Sequence, residues 1–212
     1  MATLPPRIVV AGTSSGVGKT TVATGLMAAL RRRGVGVANA KIGPDFIDPG
    51  YHALATGRPP RNLDSWICGE AAIGPLAGRA GAGADLLVVE GVMGLFDGAA
   101  TEGPVASTAS IARLLDAPVV LVVDASAMSG SVAALVHGFA TFEPAVRLAG
   151  VVLNQVGSDS HEDMLRRALA PLVRLALAAC PLASGAAQPG SRSSICFSDL
   201  SERIGLGIPA SC

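Results

Sequence analysis

Residues 12–20 read Gly-Thr-Ser-Ser-Gly-Val-Gly-Lys-Thr, directly after the apolar run Ile8-Val9-Val10-Ala11. A strand, a glycine-rich turn and a helix start in this order build a phosphate cradle. Backbone N–H groups turn inward, and the helix dipole favours negative charge. Lys19 can reach the β/γ-phosphates and the Thr20 hydroxyl can bind Mg²⁺. The nucleotide contacts are therefore expected from Gly12, Thr13, Gly16, Val17, Gly18, Lys19, Thr20 and Thr21. Five residues, not four, separate Gly12 from Gly18, and this longer loop favours one branch of the phosphate-loop proteins.

Further apolar, β-branched runs recur along the chain at 7–11, 36–40, 85–90, 118–124 and 148–153. Continuous Val-rich runs suit a parallel sheet covered on both faces. Helices are expected between them at 19–33, 69–79, 105–115, 129–141 and 161–169. The first keeps Val22, Leu26, Ala29 and Leu30 at helical spacing and ends in Arg31-Arg32-Arg33-Gly34, cations for the helix dipole followed by a stop. The pattern predicts an α/β fold of P-loop NTPase type, a doubly wound, mostly parallel sheet with helices on both faces. Ligands in such sheets sit at the carboxyl ends of the strands, which directs attention to the residues after Ala11, Ala40, Glu90, Asp124 and Leu153.

At 212 residues the chain is long enough for one complete α/β domain. Only 3% of it is aromatic, so Ala, Val, Leu and Ile must build the core. Lys+Arg and Asp+Glu are both 16, a balance that gives no pointer to nucleic acid or a membrane surface. Apolar stretches such as Ala117 to Val123 are too short to span a bilayer, and the N-terminus lacks a signal-peptide layout, so a cytoplasmic protein is expected. Cys68, Cys180, Cys196 and Cys212 form no C-x-x-C pair and have no His at zinc-like spacing, which marks them as incidental or buried thiols. His52, His137 and His161 are scattered singly.

Two stretches carry candidate chemistry. Lys41-Ile-Gly-Pro-Asp45-Phe-Ile-Asp48 places a lysine and two carboxylates in a turn-forming context after the second strand. Alone it reads equally as a solvated loop. Beside a phosphate cradle, Lys41 suits γ-phosphate neutralisation, and Asp45 or Asp48 suits holding Mg²⁺ or positioning the attacking group. Leu86-Leu-Val-Val-Glu90 ends an apolar strand in an acid, a Walker-B-like element in which Glu90 would bind Mg²⁺ or its water shell. Asp97 follows among Gly91, Gly94, Gly98 and Gly103, glycines that let the backbone come close to a ligand. Asn154, just past the last strand, is a candidate for the adenine edge, with a helix cap or turn as the competing reading. Trp66, the single tryptophan, is a core anchor or a wall of a substrate pocket.

Together the stretches AGTSSGVGKTT, KIGPDFIDPGYH, RNLDSW, VVEGVMGLFDG and GVVLNQVGSDSHEDML resemble the cobyrinic (hydrogenobyrinic) acid a,c-diamide synthase family. They span about residues 7–170 in the family's order, in its dethiobiotin-synthetase-like, N-terminal synthetase portion. The resemblance implies ATP-dependent amidation of the a and c carboxylates of a corrinoid substrate in cobalamin biosynthesis, through an acyl phosphate. It assigns Lys19, Lys41, Asp48 and Asp97 to catalysis or substrate handling, and Thr20, Asp45 and Glu90 to Mg²⁺.

The family's synthetase portion is normally followed by a glutaminase domain with a nucleophilic cysteine and a histidine base. No counterpart is expected here, and Cys68 lies inside the synthetase motifs. The reading is a synthetase domain over 1–172 and an irregular tail over 173–212 without the synthetase's final strand, using free ammonia or a separate glutaminase. The alternatives are a truncated, non-catalytic remnant and a ParA/MinD-like switch ATPase. The latter's signature lysine near the loop start is replaced by Thr13, Ser14 and Ser15. Dethiobiotin synthetase itself leaves the EGVMGLFDG loop unexplained. A homodimer is left open.

Overall fold

The computed structural model describes residues 4–98, 106–172 and 176–181. Seven strands form one sheet: β1 (Arg7–Gly12), β2 (Val37–Ile42), β3 (Asn62–Leu63), β4 (Leu86–Glu90), β5 (Val119–Asp124), β6 (Leu148–Val156) and β7 (Ala176–Pro181). Their order is β3-β2-β4-β1-β5-β6-β7, and every neighbouring pair is parallel. The helices are α1 (Lys19–Arg32), α2 (Asp48–Thr56), α3 (Ser65–Cys68), α4 (Glu70–Ala80), α5 (Thr108–Leu114), α6 (Ser131–Thr141) and α7 (Asp159–Leu169). Among the described residues no helix is long and apolar enough to cross a membrane.

Side-chain alternation on the strands divides the core in two. Ile8, Val10, Leu86, Val88, Val120 and Val122 pack with Val22, Leu26, Met27 and Leu30 of α1. The intervening Val9, Ala11, Leu87, Val89, Leu121 and Val123 pack on the other face with Ile73, Ile111, Val136 and Leu165 from α4 to α7. Period-two alternation with both faces buried is why these strands read as unbroken apolar runs. Burying each such Leu, Ile or Val contributes about 1.5–3 kcal/mol.

The central strand β1 has β4 on one side and β5 on the other, and the chain leaves it in both directions across the sheet. This reversal of strand order opens a crevice at the carboxyl ends of β1 and β4. The expected doubly wound architecture is present, and its parallel pairing extends to all seven strands.

Two segments depart from the sequence expectation. Residues 176–181 form β7, paired in parallel to β6 from Gly150↔Ala176 to Leu153↔Ala179, so the sheet runs past the expected limit at 172. The run Ala-Leu-Ala-Ala-Cys-Pro lacks β-branched residues, and the free edge of β6 supplies what the local pattern does not. The segment 45–68, for which no helix or strand was expected, folds into α2, β3 and α3. Gly103, Cys196, Cys212 and the remainder of the expected tail, 182–212, lie outside the described residues.

Candidate functional site

The phosphate loop bridges β1 and α1. Gly18 takes φ 93°, and a Cβ there would lie 2.2 Å from Asn154 Nδ2. Only glycine satisfies both the left-handed backbone and that approach. The α1 N-terminus has no side-chain cap and no acidic residue in its first turn. Its backbone donors at Lys19, Thr20 and Thr21 are thus left for an anion rather than consumed by the protein. Lys19 folds back over the loop, its Nζ donating to the Ser14 carbonyl at 3.0 Å. Burial, with Lys41 nearby, lowers the Lys19 pKa from the usual 10.5, although Glu90, Asp48 and Asp97 pull the other way. An ammonium held among too few acceptors is poised to gain from an incoming polyphosphate.

Beneath the loop, four elements converge on one polar cluster. Thr20 Oγ1 of α1 donates to Glu90 Oε1 at the tip of β4 (2.6 Å) and lies 3.2 Å from Asp48 Oδ2 on α2. Lys41 Nζ, at the end of β2, donates to Asp48 Oδ2 (2.7 Å), Glu90 Oε1 (2.9 Å) and the Gly91 carbonyl (3.1 Å). Register brings Lys41 and Glu90 together, since they are directly opposite on adjacent strands. The second Glu90 oxygen, Oε2, is 2.6 Å from His52 Nε2, and both residues are fully buried.

Electrostatics fix the charge state. Burial opposes charge on Lys41, yet hydrogen bonds and attraction from Asp48 and Glu90 outweigh it and raise its pKa above 10.5. Burial likewise opposes ionisation of Glu90, but His52, Lys41 and Thr20 hold it below 4.5. Burial opposes ionisation of Asp48 as well, but Lys41, with Asp45 and Thr20, holds it below 3.8. The cluster is an ammonium between two carboxylates, with a hydroxyl and an imidazole completing it.

The structure sorts the expected site residues. Lys19, Thr20, Lys41, Asp48 and Glu90 come together. Asp45 does not join them: its Oδ1 accepts from the backbone N–H groups of Ile47 (2.8 Å) and Asp48 (3.2 Å) and so starts α2. Asp48, one turn-start later, is the carboxylate that reaches Thr20. Asp97 Oδ2 accepts from Gly94 N–H at 2.8 Å and holds the loop after β4, which Leu95 N–H joins to the Gly12 carbonyl at 2.8 Å. A Cβ at Gly94 would lie 3.0 Å from the Thr13 carbonyl, so the two loops touch backbone to backbone. Asn154 Nδ2 donates to the Val17 carbonyl at 2.9 Å, which supports the phosphate loop from behind. Trp66 is 67% exposed and therefore does not anchor the core.

Sequence reasoning missed His52 and Thr108. Asp48 and His52 are four residues apart on α2 and share one face, a spacing that carries the signal once the helix is recognised. Thr108 Oγ1 accepts from Val92 N–H and donates to the Val92 carbonyl, both at 3.0 Å, pinning the chain after Glu90. Its signal lies only in tertiary contact.

The oxygen donors suit Mg²⁺. Thr20 offers a hydroxyl and Glu90 and Asp48 offer carboxylates within 3.2 Å of it, hard ligands of the type this cation takes alongside substrate phosphates. Among the described residues no group of three or more His, Cys, Asp or Glu side chains forms a metal cage, so a cation here would need the nucleotide's own oxygens.

The family model for the CobQ/CobB/MinD/ParA nucleotide binding domain matches residues 8–183. Hydrogenobyrinate a,c-diamide synthase of Streptomyces coelicolor is 65% identical over 164 residues, covering 77% of this chain and 34% of the relative. Cobyrinate a,c-diamide synthase of Syntrophotalea carbinolica is 56% identical over 164 residues, covering 77% and 36%. The chain thus spans about a third of the length of the curated relatives it matches. Among solved structures, chloroplast FtsY from Physcomitrella patens aligns with a TM-score of 0.61 at 15% identity, over 98% of this chain and 68% of that one. A nucleotide-binding protein in complex with ADP from Archaeoglobus fulgidus aligns with a TM-score of 0.54 at 17% identity, over 84% and 82%. These two likenesses concern the fold.

Proposed function

The chain belongs to the CobQ/CobB/MinD/ParA nucleotide binding domain family, and we propose that it is the ATP-dependent synthetase domain of a cobyrinate or hydrogenobyrinate a,c-diamide synthase. The observation that carries this reading is the convergence of Thr20, Lys41, Asp48 and Glu90 beneath the phosphate loop. Relatives 65% and 56% identical are named for amidating this substrate class.

A carboxylate is a poor electrophile until one of its oxygens becomes a leaving group. In the proposed reaction a substrate carboxylate oxygen attacks the γ-phosphorus of ATP, the bond to the β–γ bridging oxygen breaks, and ADP leaves. Ammonia then adds to the acyl carbon, the phosphate departs with its bonding electrons, and the nitrogen loses a proton to give the amide. The backbone donors of Gly16 to Thr21 and the Lys19 ammonium bind the phosphates. Lys41 supplies positive charge beside the transferred group, which spreads negative charge over its oxygens. Mg²⁺, held by Thr20 with Glu90 and Asp48, would add further neutralisation at the phosphates. Asp97 shapes the loop on which the substrate carboxylate approaches. Asn154 sets the loop floor through its bond to the Val17 carbonyl and is the candidate for the adenine edge.

The substrate side has matching character. Phe46 and Ile47 follow β2, Trp66 and Ile67 follow β3, and all four are more than half exposed. Asn62 Nδ2 ties these two strand ends together through the Gly43 (2.8 Å) and Asp45 (2.6 Å) carbonyls. Exposed apolar side chains on adjoining segments suit a broad macrocycle with carboxylates at its rim. Residues 176–181 extend the sheet of the synthetase domain, and ammonia supplies the nitrogen.

The test is incubation of the purified protein with ATP, Mg²⁺, ammonium and either corrinoid acid, followed by mass analysis. Mono- and diamide products with ammonium are expected. Normal ATP binding without any amide contradicts the synthetase reading and favours a non-catalytic remnant.

A further inference from the structure

His52 is the buried group in this cluster that phosphate chemistry does not require. It sits one turn after Asp48 on α2, fully excluded from solvent, with Nε2 2.6 Å from Glu90 Oε2. Its Nδ1 has no partner among the described residues. A buried N–H without an acceptor is costlier than an unused lone pair, so the proton belongs on Nε2 and the ring donates to Glu90. The ring is seated by its own helix, where Thr56 Oγ1 donates to the His52 carbonyl at 2.8 Å and accepts from Asn39 Nδ2 at 2.8 Å.

The two Glu90 oxygens therefore have different surroundings. Oε1 accepts from Thr20 and Lys41, the two groups on the phosphate-loop side, and Oε2 is closed by the imidazole. We propose that His52 is a positioning residue that occupies Oε2, so that a cation reaches Glu90 only through Oε1, by exchange with its Thr20 and Lys41 bonds, and that it thereby favours Mg²⁺ over Ca²⁺ at the nucleotide. Mg²⁺ demands near-octahedral geometry and takes carboxylates through one oxygen, whereas Ca²⁺ accommodates bidentate carboxylates and larger shells. Closing Oε2 removes the bidentate mode and leaves the one that suits the smaller ion. The inference rests on the assignment of Glu90 to the cation.

The test is affinity for a fluorescent ATP analogue measured with Mg²⁺, with Ca²⁺ and with EDTA. The variants are His52→Gln, whose amide nitrogen can replace Nε2, and His52→Asn, which is too short to reach Oε2. Wild type is expected to bind more tightly with Mg²⁺ than with Ca²⁺. His52→Asn should reduce that ratio by about 10-fold, the scale of losing a group that orients a metal ligand, with its EDTA affinity unchanged. His52→Gln should keep the wild-type ratio. An undiminished ratio in folded His52→Asn overturns the proposal and leaves the cation assignment standing. No effect of either cation on wild type overturns both.

Should His52→Asn not fold, imidazole nitrogen NMR of wild type decides. Nε2 stays protonated and hydrogen-bonded when Mg²⁺ and nucleotide are added if the proposal holds. Loss of that N–H on addition overturns it.

Discussion

Lys41 Nζ lies 2.9 Å from Glu90 Oε1, with the two residues directly opposite on adjacent parallel strands and both side chains almost wholly out of solvent. Neither charge has water to fall back on, so each depends on the other. Lys41→Met would leave Glu90 with the Thr20 hydroxyl and the His52 ring but no cation. Breaking a buried pair from one side costs about 3–5 kcal/mol. Urea unfolding of the variant should show a loss of that size, together with lost turnover. A loss of only a few tenths of a kcal/mol, as about expected for an exposed pair, would show that the pair is not structurally coupled.

The same network sets the response to pH. Glu90 and Asp48 have pKa values lowered from 4.5 and 3.8, so their stabilisation is fully present above those values. It is lost as the pH falls through the lowered native values. Lys41 is raised from 10.5, so its contribution is complete below that pH and is lost as the pH rises through its raised native value. Urea midpoints across the pH range should therefore show an acid shoulder that is smaller in Lys41→Met. An acid shoulder of equal size in the variant would contradict the assigned coupling.

Lys19 and Lys41 are the chain's two lysines, which makes them separable by side-chain NMR. Burial beside a second ammonium lowers the Lys19 pKa, and the two carboxylates raise that of Lys41. Two lysine resonances should titrate on opposite sides of 10.5. Nucleotide binding should move the lower one upward, because a polyphosphate favours the charged form. Coincident titrations, or no movement with nucleotide, would show that Lys19 does not meet the phosphates.

Much of the scaffold is written locally. The strands at 7–12, 86–90 and 119–124 are unbroken apolar runs because both faces of a parallel sheet are buried, and the glycine-rich turn after Ala11 needs no tertiary context to be read. Glu90 was legible because it ends such a strand, and Lys41 because it opens the turn-forming stretch that carries two carboxylates. Choosing between Asp45 and Asp48 was not, since it turns on where α2 begins: Asp45 is spent on the helix start, and the next carboxylate faces Thr20. His52 was hidden for the same reason, because its relation to Asp48 exists only on a helix. The strand β7 is set by the edge of β6 rather than by its own alanine-rich sequence.

The central claim is that Lys19, Lys41, Thr20 and Glu90 serve transfer of the γ-phosphoryl group to a substrate carboxylate. Corrinoid acid carrying ¹⁸O in its side-chain carboxylates tests it most directly, in the presence of ATP, Mg²⁺ and ammonium. An acyl phosphate intermediate places one ¹⁸O in the inorganic phosphate for each amide formed, because the carboxylate oxygen leaves with phosphorus. Amide formation with unlabelled phosphate would contradict the account.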